Sequence, residues 1–169
     1  YDGCRVLVNA QDFFDVTRDY LRRAHADRVL HCELFLGPQG HTTRGVPLAA
    51  VLEGVRGAME PARGEDGITT GPITLAQRHR SEDEALAMLD ALQPWHGRLL
   101  GFGLGGAEVG NPPAKFARFF ARCRGLGFKL VATRGTPAYL RAHGLDVDVA
   151  YKINEGRAHV GDRIYNKEI

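Results

Sequence analysis

The regular alternation of strand-like and helix-like patterns is the feature of this sequence that most constrains its fold. Strand patterns are predicted at residues 28–37, 72–78, 98–105, 128–134 and 147–153. Helical patterns lie between them, at residues 11–27, 47–60, from Ser81 onward, 111–127, 136–144 and about 157–166. Because helical crossovers join parallel strands, we expect an α/β protein of parallel βα repeats with about five strands. Five strands cannot close an eight-stranded barrel, so we expect one open sheet with exposed edges.

Two local signals fix parts of this pattern. Ser81 with Glu84 three residues later is a capping-box signature, which predicts that a helix begins there. The 111–127 segment opens on two prolines and carries one apolar stripe, which we interpret as core packing rather than a cofactor site. The stripe consists of Phe116, Phe119, Phe120 and Cys123.

The composition is that of a soluble globular domain, with 44% hydrophobic and 25% charged residues over 169 positions. A net charge of +2 without a basic stripe argues against nucleic-acid binding, and no apolar run is long enough to span a membrane. Three cysteines indicate a reducing setting, so we expect a cytoplasmic protein. The chain starts on Tyr1 and stops on Ile169 where another strand could begin, which suggests that both ends are cut.

Four stretches, in order, carry a family resemblance: QDFFDVTRDYLRRAHAD, HCELFLGPQGHTTRGVP, RHRSEDEA and GFGLGGAEVGNPPAKFARFFARCRGLGFKLVA. With them, residues 1 to about 131 resemble the adenosine/adenine deaminase family, zinc-dependent hydrolases of purine metabolism on a (β/α)₈ barrel. The resemblance implies that these stretches form the second to fifth βα units, a partial barrel-like segment. It also implies that Gly106 matches a glycine whose backbone contacts the purine.

The same resemblance argues against catalysis by this chain. In the family, histidines on the first and fifth strands and an aspartate on the eighth hold the metal, and a glutamate after the fifth-strand histidine shuttles the proton. The family motif LVAHAGE reads LVATRGT here, so Thr133 stands in the place of the histidine and Thr136 in the place of the glutamate. We therefore predict no catalytic residue, no metal ligand and no cofactor in this chain.

The turn ATRGT and the pattern K-x-x-E-G-R at residues 152–157 carry a second resemblance. Residues from about 128 to 169 resemble the methylglyoxal-synthase-like, flavodoxin-like regulatory domain of carbamoyl-phosphate synthetase. The resemblance implies phosphate or nucleotide binding by Thr133, Gly135, Thr136 and Lys152. Hydroxyls and N–H groups at a helix N-terminus, with a nearby lysine, favour an anion. The alternative is a capped helix start and a surface lysine.

These observations predict a deaminase-like half-barrel segment over residues 1–127 and a methylglyoxal-synthase-like segment over 128–169, or one fused domain. Three functional hypotheses follow. The first is a catalytically silent chimeric or fragmentary chain with at most weak phosphate binding. The second is a zinc-dependent deaminase whose missing metal site is supplied elsewhere. The third is a scaffold that self-assembles as a homo-oligomer through exposed sheet edges.

Overall fold

The computed structural model describes residues 2–133, 135–142 and 144–166 and has the alternating order that the sequence predicts. Among these described residues the strands are β1 His31–Leu36, β2 Thr69–Gln77, β3 Gly101–Gly105, β4 Val131–Thr133 and β5 Asp148–Ala150. The helices are α1 Ala10–Ala26, α2 Gln39–Thr42, α3 Leu48–Glu65, α4 Glu82–Ala91, α5 Ala117–Gly125, α6 Thr136–Ala142 and α7 Val160–Tyr165. Turns of 3₁₀ helix occur at Asp2–Val6, Gln93–Arg98 and Pro113–Phe116. The α/β class with parallel strands is confirmed.

The strands form two sheets, so the prediction of one open sheet is wrong for the described residues. One sheet has the order β1-β2-β3 and the other pairs β4 with β5, all in parallel. The physical reason lies in the length of the connections. The 14 residues between β4 and β5 are fewer than the 25 between β3 and β4, so pairing β4 with β5 needs less loop closure.

The chain divides into two compact units. The first unit, residues 1–77 and 87–106, contains the three-stranded sheet. Its core is a cluster of buried apolar side chains from α1, β1, α3 and the segments between them, including Phe13, Leu21, Cys32, Val55 and Ile68. Burial of this apolar face is the main stabilising contribution to the unit.

Two glycines allow the close packing of α1 against α3. A Cβ atom built on Gly54 would overlap the backbone oxygen of Ala10, and one on Gly57 would lie 3.3 Å from the Phe14 ring. The sequence alone presents these glycines as weak points of a helix. In the structure, Gly54 is instead a point of close approach between the two helices, since any side chain there would meet α1 backbone.

The second unit, residues 78–86 and 107–169, contains the β4–β5 pair and shorter elements. The helix predicted at 111–127 begins as a 3₁₀ turn and continues as α5. Its predicted apolar stripe is confirmed: Phe116 and Phe119 are fully buried and Cys123 is 2% exposed. Phe120 packs on a small cluster formed by Leu140, Leu145 and Val147.

The predicted capping box at the start of α4 is confirmed. The Ser81 hydroxyl accepts a hydrogen bond from the Glu84 N–H at 3.2 Å, and Oε2 of Glu84 accepts one from the Ser81 N–H at 2.9 Å. The backbone N–H of Ser81, then Arg80 and the Ser81 hydroxyl, lower the pKa of Glu84 to about 2. The Glu84 carboxylate therefore stays ionised while it accepts the hydrogen bond from the Ser81 N–H at the start of the helix.

Within the described part of the chain, every helix falls short of the length and apolar character that crossing a membrane would require.

Candidate functional site at the strand carboxyl ends

Parallel α/β proteins bind ligands beyond the carboxyl ends of their strands. At this edge of the three-stranded sheet, two glutamines that the sequence analysis did not single out are joined. Gln77 ends β2 and Gln39 follows β1, and the N–H of Gln77 donates to Oε1 of Gln39 at 2.8 Å. Each residue is 5% exposed. The bond fixes the loop after β1 against the end of β2.

Gly106, the candidate for a purine contact, directly follows β3. Its φ of 102° lies in the left-handed region, where a side chain would be strained. The turn by itself therefore accounts for a glycine at this position. The purine contact of Gly106 stays a prediction.

A polar cluster in the second unit orders residues 107–111. The half-buried guanidinium of Arg78 donates to the backbone oxygen of Asn111 at 3.1 Å and lies 3.8 Å from the Glu108 carboxylate. The ammonium of Lys115 donates to the backbone oxygen of Arg78 at 3.0 Å. The cluster joins two segments 30 or more residues apart, so local sequence patterns gave no signal for it.

Glu82, at the start of α4, caps a different helix. Its Oε1 accepts from the backbone N–H of Phe119 at 3.1 Å and its Oε2 accepts from Nε of Arg118 at 2.6 Å. These bonds hold the first turn of α5 and raise the pKa of the Arg118 guanidinium. The structure thus places the acidic side chains of Glu82 and Glu84 at helix starts.

The turn after β4 carries three of the predicted anion-binding residues. Thr133 ends β4, Gly135 has a φ of 100°, and Thr136 begins α6. Thr133 and Gly135 are exposed and Thr136 is half-buried. Arg134, which could assist an anion, lies outside the described residues.

Lys152 lies at the same edge of the two-stranded sheet as this turn. Thr133 pairs in register with Ala150, and Lys152 follows two residues later. The N–H of Lys152 donates to Oε2 of Glu155 at 2.9 Å, and the residue is exposed. Parallel pairing therefore brings all four predicted residues to one edge, while anion binding by them stays a prediction.

The described residues do not fit a zinc centre. Zinc in proteins takes imidazole, thiolate or carboxylate ligands. Among residues 2–133, 135–142 and 144–166, no group of three or more His, Cys, Asp or Glu side chains is placed to hold a metal ion. The neutral hydroxyls of Thr133 and Thr136 do not supply the missing donors.

Two histidines near strand ends have structural surroundings. The ring of His41 packs edge-on against Phe13 with centroids 4.8 Å apart. Burial, and to a lesser extent Arg44, lower the pKa of His41, so its ring is neutral at pH 7. His31 hydrogen-bonds through Nδ1 to the Thr69 hydroxyl at 2.7 Å.

Parallel βα units with a polar carboxyl edge define the class of α/β proteins that includes the hydrolase barrels. Residues 1–148 match the family model described as adenosine deaminase. The chain belongs to the adenosine deaminase family.

Two curated adenine deaminases are similar to the chain in sequence. The chain is 48% identical to the adenine deaminase of Rhodopseudomonas palustris over 165 residues, and 46% identical to that of Cupriavidus taiwanensis over 164. Each match covers 96% of this chain and 48% or 47% of the relative, so the chain spans about half the length of these curated relatives.

Two solved structures support the fold. An adenine deaminase from Arthrobacter aurescens superimposes with a TM-score of 0.76 at 42% identity, covering 87% of this chain and 46% of that one. An amidohydrolase from Burkholderia ambifaria, solved with bound Zn, gives 0.72 at 27% identity, covering 86% and 42%. The predicted partial barrel-like segment agrees with these likenesses.

The family match also bears on the predicted change, near residue 128, from a deaminase-like to a methylglyoxal-synthase-like segment. It continues to residue 148, beyond the predicted limit of about 131, and the curated relatives align over 96% of the chain. The comparisons give no support to a methylglyoxal-synthase-like segment, and a flavodoxin-like continuation is not confirmed. A strand, glycine turn and helix fit many βα folds, so the turn 133–136 was a weak basis for that resemblance.

Proposed function

We propose that this chain is a catalytically silent part of an adenine-deaminase-type α/β protein. The observation that carries the proposal is the identity of two residues in the turn after β4. Thr133 and Thr136 stand where the family resemblance puts a metal-binding histidine and a proton-shuttling glutamate. An alcohol neither binds zinc as imidazole does nor protonates a ring nitrogen near neutral pH as a carboxylic acid can.

Ultraviolet absorbance of adenine tests this proposal. The purified chain is incubated with adenine and added zinc, and conversion to hypoxanthine is followed beside the adenine deaminase of Rhodopseudomonas palustris as a positive control. We expect no conversion above a no-protein blank. Turnover by the chain that Thr136→Ala abolishes would contradict the proposal.

The second candidate is a zinc-dependent adenine deaminase whose metal-binding residues come from outside this sequence. The identity of 48% to an adenine deaminase favours it, as does the extension of the match over nearly the whole chain. Co-expression with the half of the Rhodopseudomonas palustris enzyme that this chain does not match discriminates the two candidates. Adenine conversion by the co-purified pair, absent from either part alone, would select the second candidate.

A weak phosphate site at Thr133, Gly135, Thr136 and Lys152 is a further part of the proposal. The parallel pairing of β4 with β5 supports it, since it brings the turn and the lysine to one sheet edge. Phosphorus NMR with inorganic phosphate tests it. We expect line broadening by the chain that Lys152→Ala removes and Lys129→Ala, a control on another segment, leaves intact.

A further inference from the structure

The first unit contains a cavity on the helix-covered side of its sheet. It has a volume of about 330 Å³ and lies between α3, the start of β2 and the 3₁₀ turn Gln93–Arg98. This volume is at the small end of the range for pockets that bind small molecules. The lining includes Thr69 and Thr70, the first residues of β2, so the cavity is distinct from the carboxyl edge that holds the candidate site.

The floor and walls of the cavity are apolar. They include Leu52, Val55, Met59, Pro72, Trp95 and Leu99. Leu52, Val55 and Met59 lie on the buried face of α3, and Leu99 is 8% exposed. Burial of an apolar ligand body against such a surface is favourable in proportion to the area removed from water.

The rim of the cavity is strongly basic, although the whole chain is nearly neutral. Arg56, Arg63 and Arg98 line it with one acidic residue, Glu60, whose carboxylate already pairs with Arg56 at 2.6 Å. Among the described residues, the guanidinium groups of Arg63 and Arg98 have no hydrogen bond or ion pair. Within that described part of the chain, two exposed cations that line the cavity therefore have no ion-pair partner.

Two neutral donors add to this rim. Within the same described ranges, neither the indole N–H of Trp95 nor the hydroxyl of Thr70 has a partner, and both residues are half-buried. Partly buried donors gain most from an acceptor that carries charge. The cavity thus combines an apolar interior with donors, and among the described lining residues the one carboxylate, that of Glu60, is paired with Arg56.

We infer that this cavity binds a small amphipathic anion, with an aliphatic or aromatic body on the apolar floor and a carboxylate or phosphate between Arg63 and Arg98. Arginine forms two-point hydrogen bonds with either group, so the rim alone does not select between them. The inference concerns a site separate from the strand carboxyl ends and does not depend on deaminase activity.

Trp95 is the single tryptophan of the chain and lines the cavity, so it reports occupancy directly. The 169-residue chain is titrated with octanoate, octyl phosphate and octanol while Trp95 emission is recorded. We expect a saturable change with one or both anions and at least about tenfold weaker binding of octanol, because only the anions satisfy the free guanidinium groups. The comparison of octanoate with octyl phosphate identifies the preferred anion.

The double variant R63A/R98A is expected to weaken anion binding about tenfold, as the ionic contacts of two exposed arginines are lost, and to leave octanol binding unchanged. Arg22→Ala on α1, an exposed arginine away from the cavity, is the matched control. Arg63→Lys retains the charge and should retain part of the affinity, which also checks that loss does not come from unfolding. Equal affinity for octanoate and octanol, no saturable Trp95 change, or unaltered octanoate affinity in R63A/R98A would overturn the inference.

Discussion

The two units of this chain are built from the same βα pattern but differ in how much structure each repeat supplies. In the first unit, β1 and β2 have six and nine residues, and α1 and α3 have 17 and 18. In the second unit, both strands have three residues and α6 has seven. Longer elements bury more apolar surface per repeat. Apolar burial therefore stabilises the family fold more in the first unit than in the second.

The largest expected effect is in the second unit. Phe119→Ala should lower the free energy of unfolding by about 3–5 kcal/mol, because a fully buried aromatic ring is lost and a cavity remains. Hydrogen exchange should show lost protection in α5 with protection in α1 retained. Phe120→Ala, the half-buried neighbour, is the control and should cost less. Equal loss of protection in α1 and α5 would show that the two units unfold together.

A smaller effect is expected at the α1–α3 contact. Gly54→Ala should destabilise by about 1–3 kcal/mol, since its Cβ would overlap α1 backbone. A Cβ built on Gly64 of the same helix would meet none of the other described residues within 4 Å, so Gly64→Ala should stabilise by about 0.5–1 kcal/mol through helix propensity. Urea denaturation measures both. A stabilising Gly54→Ala would refute the close approach of these helices.

The ion cluster that joins α1 to the end of α3 should make the first unit sensitive to acid. Arg18, 6% exposed, pairs with Asp66 and with Glu65, and its guanidinium lowers the pKa of Asp66. A carboxyl with a lowered folded pKa stabilises above its unfolded pKa, near 4, and this stability is lost as pH falls through the folded value.

We therefore expect the urea midpoint of the chain to fall between pH 5 and pH 3, and to fall less in Arg18→Met. Arg23→Met, which removes an exposed pair with Asp19, is the control. An identical pH dependence in Arg18→Met and the unchanged chain would contradict the assignment to Asp66.

The smallest effect is expected at the capping box. Ser81→Ala should cost about 1 kcal/mol, because the Glu84 N–H loses its acceptor. The measurement is the urea midpoint, with Ser81→Asp as a control that supplies an alternative acceptor. No loss in Ser81→Ala would show that the reciprocal bond is not what starts α4.

The elements that sequence patterns predicted are those with strong local signals. The apolar stripe on α5 and the Ser81–Glu84 box depend on residues a few positions apart, and the sequence shows both directly. The division into two sheets depends on which strand edges pair, and no local pattern encodes that. The bond between Gln39 and Gln77 and the Arg78 cluster join distant segments, so they also escaped prediction.

At the candidate site, residue identity was more informative than geometry. The threonines at positions 133 and 136 were read from the sequence, and the structure adds that they share an edge with Lys152. The structure also explains Gly106 by its backbone conformation, which the sequence could not distinguish from a ligand contact. The cavity beside α3 had no sequence signal, because its arginines come from two separate elements.

Zinc content tests the central claim most directly, since the claim is that this chain provides no metal centre of its own. The chain is equilibrated with zinc, dialysed against metal-free buffer and assayed by atomic absorption beside an adenine deaminase relative. We predict that the relative keeps its metal and the chain retains far less than one zinc per molecule. One zinc retained per chain, and lost in Thr133→Ala, would contradict the account.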